Sequence, residues 1–277
     1  MPLVFVPTPL GNLRDITLRA LEILGACDLL VAEDSRVARK LLSALHLPGK
    51  ETWTYQEHNV RAVTPGILQR AQTQLVAVVT DAGTPGISDP GVELIARARA
   101  EHIAIDVLPG ASAGIGAAVL SGFDLRRFIF EGFFARTSGA RIKALKTTLS
   151  LGITSVWFES PQRIIATLAD IERVDPQRRI FVLREYTKLH EQQILGVASE
   201  VSAALIQPVR GEISVVLEGV APEAVQASES QIDAAIDSLL ETNVSVSAIA
   251  KALVERGLGE RRHLYALVTD RKRARTR

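Results

Sequence analysis

Short runs of β-branched and aliphatic residues alternate with stretches of helical spacing from the first residues of this 277-residue chain. Leu3–Val6, Asp28–Ala32, Leu75–Thr80 and Ile103–Leu108 read as strands. The last two are almost continuously apolar, the mark of parallel strands buried on both faces. Ile16–Leu24 has helical spacing with Asp15 as its cap, and a second helix runs over Gly91–Ala100. Such alternation predicts a parallel α/β sheet. The rhythm changes around Ser121-Gly122-Phe123. Strand-like runs then recur at Phe128–Phe134, Ser155–Phe158, Ile180–Leu183 and Ile213–Leu217, with helices between, and predict a second α/β domain. Val220–Ser230 reads as a linker. Beyond it Ile232, Ala235, Ile236, Leu239 and Leu240 share a helix face, a further helix starts at Ser245 or Ser247 and stops at Gly257, and a third covers Leu264–Val268. The expected division is therefore 1–118, 119–222 and a helical, helix-turn-helix-like segment over 223–277.

Two Pro/Gly-rich loops follow strands of the first domain, Thr80-Asp-Ala-Gly-Thr-Pro-Gly-Ile-Ser-Asp-Pro-Gly91 and Pro109-Gly-Ala-Ser-Ala-Gly-Ile-Gly116. In open α/β sheets ligands bind beyond the carboxyl ends of the strands. Glycine there lets a ligand approach the backbone, and proline holds the loop in one shape. The pair predicts a pre-formed small-molecule site.

Composition removes several classes. The chain is 47% hydrophobic and 23% charged, as soluble globular proteins are. It contains no run of the roughly 18 apolar residues that span a bilayer. The first residues lack a basic export signal, so the cytoplasm is the expected location. One cysteine, Cys27, leaves no disulfide and no cysteine-rich zinc site, and the five histidines have no metal-ligand spacing. Asp81 and Asp89 flank prolines rather than an EF-hand register. Gly110–Gly116 spells the GxxxGxG of short-chain dehydrogenases, but no tyrosine is followed four positions later by lysine. No triphosphate loop and no serine nucleophile elbow is present. The net charge of +1 conceals a division: residues 251–277 hold nine Lys/Arg against three Asp/Glu. A basic end on a near-neutral protein suits a polyanionic partner. The first strand runs into Val6-Pro-Thr-Pro-Leu-Gly-Asn12, a proline loop offering few N–H groups to an anion. It suits a ligand held by shape and carbonyl contacts, such as S-adenosylmethionine.

Pro7–Thr17, Ala32-Glu-Asp-Ser-Arg36, Thr80–Pro90 and Pro109–Ala113 resemble the tetrapyrrole-methylase superfamily. Phe158-Glu-Ser-Pro-Gln-Arg163, Arg184-Glu-Tyr-Thr-Lys-Leu-His-Glu191 and Arg210-Gly-Glu-Ile213 resemble its branch that methylates 16S ribosomal RNA. Two positions depart from that branch, Gln162 where histidine is usual and Tyr186 where leucine is usual. The resemblance implies two α/β domains of the tetrapyrrole-methylase type with a small helical C-terminal appendix. It implies a homodimer with S-adenosylmethionine in the cleft between the domains, methylating a cytidine ribose 2′-OH in the decoding region of 16S rRNA in the small ribosomal subunit. Pro9, Leu10, Ala82, Gly83, Thr84, Ile87, Ser112 and Ala113 match its cofactor positions, and Glu159 and Tyr186 align with cofactor contacts of the second domain.

A ribose hydroxyl is a poor nucleophile, so a base is expected. Among Glu33, Asp34, Glu185, Lys188 and His190, the first two lead because they follow the second strand, on the sheet edge of the cofactor loops. Arg36, Arg184 and Lys188 are the expected RNA contacts, since guanidinium matches phosphate bidentately. A tetrapyrrole C-methyltransferase and a non-catalytic ribosome-binding factor are the competing readings.

Overall fold

A computed structural model describes residues 3–220, 229–240, 244–255, 258 and 261–275. The chain up to Lys146, joined by Thr154–Glu218, forms one compact unit that holds two five-stranded sheets. The first consists of β1 (Leu3–Phe5), β2 (Leu29–Ala32), β3 (Glu51–Thr54), β4 (Val76–Val79) and β5 (Ile105–Val107), in the order β3-β2-β4-β1-β5. All its pairings are parallel. The apolar runs have a plain cause. Successive strand side chains point to opposite faces, and here both faces are covered. Leu3, Phe5, Leu29, Val31, Val76 and Val78 pack on α3 (Val60–Ala71) and α4 (Val92–Ala100), whereas Val4, Leu30, Ala32, Ala77 and Val79 pack on α1 (Leu18–Ala26) and α2 (Ser35–Ala44).

Two expectations are corrected here, and one strand had not been anticipated. Ile103–Leu108 is not a buried central strand: β5 lies at the sheet edge, and Val107 is 47% exposed. The cap of α1 is Thr17, whose hydroxyl accepts from Ala20 N, while Asp15 closes a preceding 3-10 turn. The polar segment Glu51–Thr54 is a strand, β3, at the other edge.

After α5 (Ala113–Ser121) come β6 (Phe128–Phe133), α6 (Ser138–Leu149), β7 (Thr154–Glu159), α7 (Ile164–Val174), β8 (Ile180–Arg184), β9 (Gln192–Gly196), α8 (Ala198–Ala204) and β10 (Ile213–Leu217). The second sheet runs β6-β7-β10-β8-β9. Only β6–β7 is parallel, and the other three pairings are antiparallel. Ala117 and Ala118 of α5 pack on Val156, Phe181, Leu183 and Val216 of this sheet. Behind it, Arg141 on α6 (3% exposed) meets Asp170 on α7 (2% exposed), with Arg141 Nε donating to Oδ2 at 2.8 Å. Ser138 Oγ donates to the other carboxylate oxygen at 2.8 Å, and Arg141 donates to Ala135 O at 3.1 Å. Two buried charges are thus hydrogen-bonded as well as paired.

Thr147–Ile153 and the described residues from Gly219 onward form the other unit. Its helices are α9 (Glu229–Leu240), α10 (Val246–Glu255) and α11 (Arg261–Arg275), around a core of Ile232, Ile236, Ile249, Leu253, Leu264 and Val268. Ser245 Oγ accepts from Ala248 N at 3.3 Å, as the expected Ser start requires. The third helix is longer than Leu264–Val268 because its basic positions favour helix without adding to the apolar pattern. Most of the expected linker, and Gly257, lie outside the described residues. Among those residues no helix is long and apolar enough to cross a membrane.

Removing one member of a buried ion pair leaves the other unpaired. Asp170→Ala is expected to lower stability by about 3–5 kcal/mol in urea unfolding, and Arg141→Met with Asp170→Leu by much less. A loss below about 1 kcal/mol for Asp170→Ala would place the pair among solvated ones.

Candidate active site

Parallel pairing delivers the loops after β1, β2, β4 and β5 to one edge of the first sheet, and short backbone bonds fasten three of them together. Thr8 N donates to Gly83 O at 2.9 Å, and Gly83 N returns a bond to Thr8 O at 3.0 Å. Thr8 Oγ1 donates to Thr80 O at 3.2 Å, and Thr84 Oγ1 donates to Ala111 O at 2.9 Å. Gly83 has φ +85°, and a Cβ there would come within 3.2 Å of the Leu10 side chain. This position suits glycine on both counts.

Beyond these loops lies a cleft with a cavity volume of about 260 Å³, just under the roughly 300–1,000 Å³ usual for small-molecule sites. The first sheet contributes Leu10, Ala82, Gly83, Thr84, Ile87, Ser88, Asp89, Ser112 and Ala113, and the second contributes Phe133, Phe158–Pro161 and Gly211–Ser214. Eight of the ten expected cofactor residues therefore line one cavity. Pro9 and Tyr186 do not. Pro9 is buried beside the Thr8–Gly83 bridge. Tyr186 packs with Ala117, Ala118 and Phe123, and lies so close over Gly116 that a Cβ there would sit 2.5 Å from its ring.

The carboxylates differ by their partners. Glu159 is 2% exposed, with one oxygen accepting from Ser160 N at 2.7 Å and paired with Arg163 at 2.6 Å. Its other oxygen accepts from Thr167 Oγ1 at 2.5 Å. Asp34 caps α2 and pairs with Arg36 at 2.7 Å. The Arg36 guanidinium holds its carboxyl well below the usual range, and so leaves it a weak proton acceptor. Glu33 accepts from Thr80 Oγ1 at 2.7 Å, outside the cleft lining.

Asp89 lines the cleft. Burial pushes its carboxyl up to about 6, against a hydrogen bond from Thr80, with the charges of Glu33, Asp81 and Glu212 adding to the rise. The sequence reading placed Asp89 between prolines and gave it no role. Its signal is the same loop, because the carboxylate follows Ile87 in a segment wrapped against the cleft.

Of the expected RNA contacts, Arg36 is on the surface with its side chain 78% exposed. Arg184 is 8% exposed and donates to Gln192 Oε1, Arg210 O and His190 O. A phosphate would have to displace those acceptors. Lys188 bonds Glu185 at 2.9 Å and Glu212 at 3.0 Å. Burial alone would lower its ammonium, but these two bonds raise it. Its alkyl chain covers Gly11, and Thr187 Oγ1 accepts from Asn12 N at 3.1 Å, so this loop and the β1 loop are tied together. Burial also raises the Cys27 thiol, in a core position unsuited to nucleophilic work.

The profile of the family described as Tetrapyrrole (Corrin/Porphyrin) Methylases matches residues 2–202. The chain belongs to the tetrapyrrole methylase family. A Synechocystis protein named ribosomal RNA small subunit methyltransferase I is 37% identical over 269 residues, 96% of both chains. A Thermotoga maritima protein of the same name is 41% identical over 219 residues, covering 78% of this chain and 98% of its own. Two solved tetrapyrrole methylases share the fold at much lower identity. A cobalt precorrin-4 methyltransferase has TM-score 0.62 and 18% identity over 78% of this chain and 94% of its own. A Thermus thermophilus uroporphyrin-III C-methyltransferase, solved with S-adenosylhomocysteine, has TM-score 0.56 and 17% identity over 79% and 97%. Enzymes acting on tetrapyrroles are thus the distant relatives of this family member, and those named for rRNA the near ones.

Gly211 also lines the cleft, at φ +86°, and a Cβ there would lie 2.2 Å from the Glu185 carboxyl. Gly211→Ala is expected to cost about 1–3 kcal/mol of backbone strain, to expel Glu185 from its bond to Lys188, and to weaken ligand binding in calorimetry. Unchanged affinity and stability would show that the loop after β8 is free to move.

Proposed function

We propose that this protein transfers the methyl group of S-adenosylmethionine to a cytidine 2′-oxygen of 16S rRNA in the small ribosomal subunit. The observation that carries this reading is one cleft gathering eight of the expected cofactor positions in a chain 37–41% identical to proteins named ribosomal RNA small subunit methyltransferase I.

The residues present fit the cofactor. Leu10, Ile87, Phe133 and Phe158 give apolar wall for an adenine ring, and Gly83 brings backbone to the cavity surface. Asp89 and Glu212 put negative charge beside a ligand that carries a sulfonium and an ammonium. Ser112 caps α5 without spending its side chain on the helix, leaving first-turn N–H groups beside the cavity for a carboxylate. When bound, S-adenosylmethionine supplies a methyl carbon already activated by positive sulfur. The chain's work is then alignment, worth up to about 7–11 kcal/mol in such reactions, together with acceptance of a proton.

In this reading residues 1–118 and 119–222 form the two walls and 223–277 a helical appendix, with the cytoplasm as the place of action. Arg36 and Lys188 flank the approach for phosphate, and Glu33 and Asp34 stand behind the cofactor loops. A second copy would cover the exposed Ile115 and Val119 of α5, which are 52% and 64% accessible.

Labelled S-adenosylmethionine with unmethylated 30S subunits and with naked 16S rRNA, followed by nucleoside mass spectrometry, tests the reading. 2′-O-methylcytidine is the expected product; no incorporation despite cofactor binding would return the choice to a small-molecule acceptor. Arg36→Ala is expected to reduce the salt slope of RNA binding by about one while leaving cofactor affinity unchanged. An unaltered slope would remove Arg36 from the phosphate contacts.

A further inference from the structure

Thr80 is 5% exposed, and its hydroxyl stands between two carboxylates. It donates to Glu33 Oε2 at 2.7 Å, and it lies close enough to Asp89 to favour that carboxylate's ionised form. A hydroxyl has one hydrogen to donate and otherwise only accepts. It therefore donates to one carboxylate at a time, and donation to Asp89 favours the ionised form of that group. Thr80 thus links Asp89 in the cleft wall to the half-buried Glu33 behind it. Of the three, only Asp89 lines the cleft.

Resting on the 2′-O-methylation reading, we propose that Asp89 is the catalytic base at the acceptor hydroxyl and that Thr80 and Glu33 carry its proton out of the cleft. As the ribose oxygen bonds to the methyl carbon, the carbon–sulfur bond breaks with its electron pair going to sulfur. The 2′-OH proton passes to the Asp89 carboxylate. Asp89 then gives a proton to Thr80 Oγ1, Thr80 gives its own to Glu33, and Glu33 releases one to water beside the exposed Asp81. One proton leaves, and every group returns to its starting state. Thr80 and Glu33 are positioning residues, since neither touches the cleft.

The charged groups facing Asp89 are Glu33, Asp81 and Glu212, all acidic. Burial raises its proton affinity and these charges add to the rise, bringing it toward the range in which a general base is most effective. A cationic ligand in the cleft favours the ionised form and so readies the base. The neutral thioether product removes that influence.

Two measurements decide the matter. Calorimetry at pH 6 in buffers of different ionisation enthalpy reads protons released on binding. The wild type is expected to release up to about half a proton with S-adenosylmethionine and less with S-adenosylhomocysteine; Asp89→Asn is expected to release none while still binding. Single-turnover methylation of 30S subunits is then followed against pH. Asp89→Asn is expected to lose about 10²–10⁴-fold in rate together with the rise on the acid side. Thr80→Val is expected to lower the rate and displace that rise, and Thr80→Ser to restore both. Asp89→Asn with cofactor bound and an unchanged rate and pH profile overturns the base role. A wild type that transfers no methyl group to the subunit overturns the acceptor reading, and the base role with it.

Discussion

The paired hydrogen bonds between Thr8 and Gly83 are the constraint from which the site follows. Parallel strands place the carboxyl ends of β1 and β4 side by side, but adjacency alone does not set loop shape. The Thr8–Gly83 bridge welds the two loops into one surface, and the Thr84 bond to Ala111 adds the loop after β5. Proline limits the backbone freedom that remains. The cost of ordering these loops is therefore met during folding rather than on ligand binding, which is the physical content of a pre-formed site. The second sheet supplies the facing wall with less backbone irregularity, because Phe158–Pro161 and Gly211–Ser214 lie at neighbouring ends of the antiparallel pair β7 and β10.

Charge in the cleft is as organised as shape. Among the described residues, the basic groups beside it are already engaged: Arg163 with Glu159, and Lys188 with Glu185 and Glu212. Asp89 has no basic partner among the charges that act on it. Its proton affinity is raised in the fold, so stability falls as pH climbs from the ordinary carboxylate range to about 6, and the penalty is fully present above that. A cation in the cleft offsets the penalty, so the feature that weakens the empty site strengthens the occupied one.

The sequence was most legible where burial is complete. Leu3–Val6, Leu29–Ala32 and Leu75–Val79 are apolar throughout because their strands are covered on both faces, and the loops after β1 and β4 stand out by their Gly and Pro content. Edge strands escape this signal. Glu51-Thr-Trp-Thr54 is largely polar since one side meets solvent, and Gln192–Gly196 buries Ile194 alone among its residues. Ile103–Leu108 misleads in the opposite sense, being apolar at an edge. Side-chain direction was also illegible. Tyr186 stands in a family-like motif, yet the space opened by Gly116, seventy residues earlier, draws its ring over α5 and away from the cleft. Arg184 reads as a surface cation, but the carbonyls of His190 and Arg210 that enclose it belong to loops whose approach no local pattern encodes.

The same limit applies to the carboxylates, and it shows where function resides in this chain. Glu33, Asp34, Asp89 and Glu159 all lie at strand ends or in the loops beyond them, so residue type and position do not separate them. Partners do. Arg36 and the first turn of α2 hold Asp34 ionised, and Arg163 and Thr167 occupy Glu159. Thr80 has one hydrogen for two acceptors, and so links Glu33 to Asp89. The threonine is the residue that distinguishes them, placed at the end of β4 by the buried apolar run that precedes it.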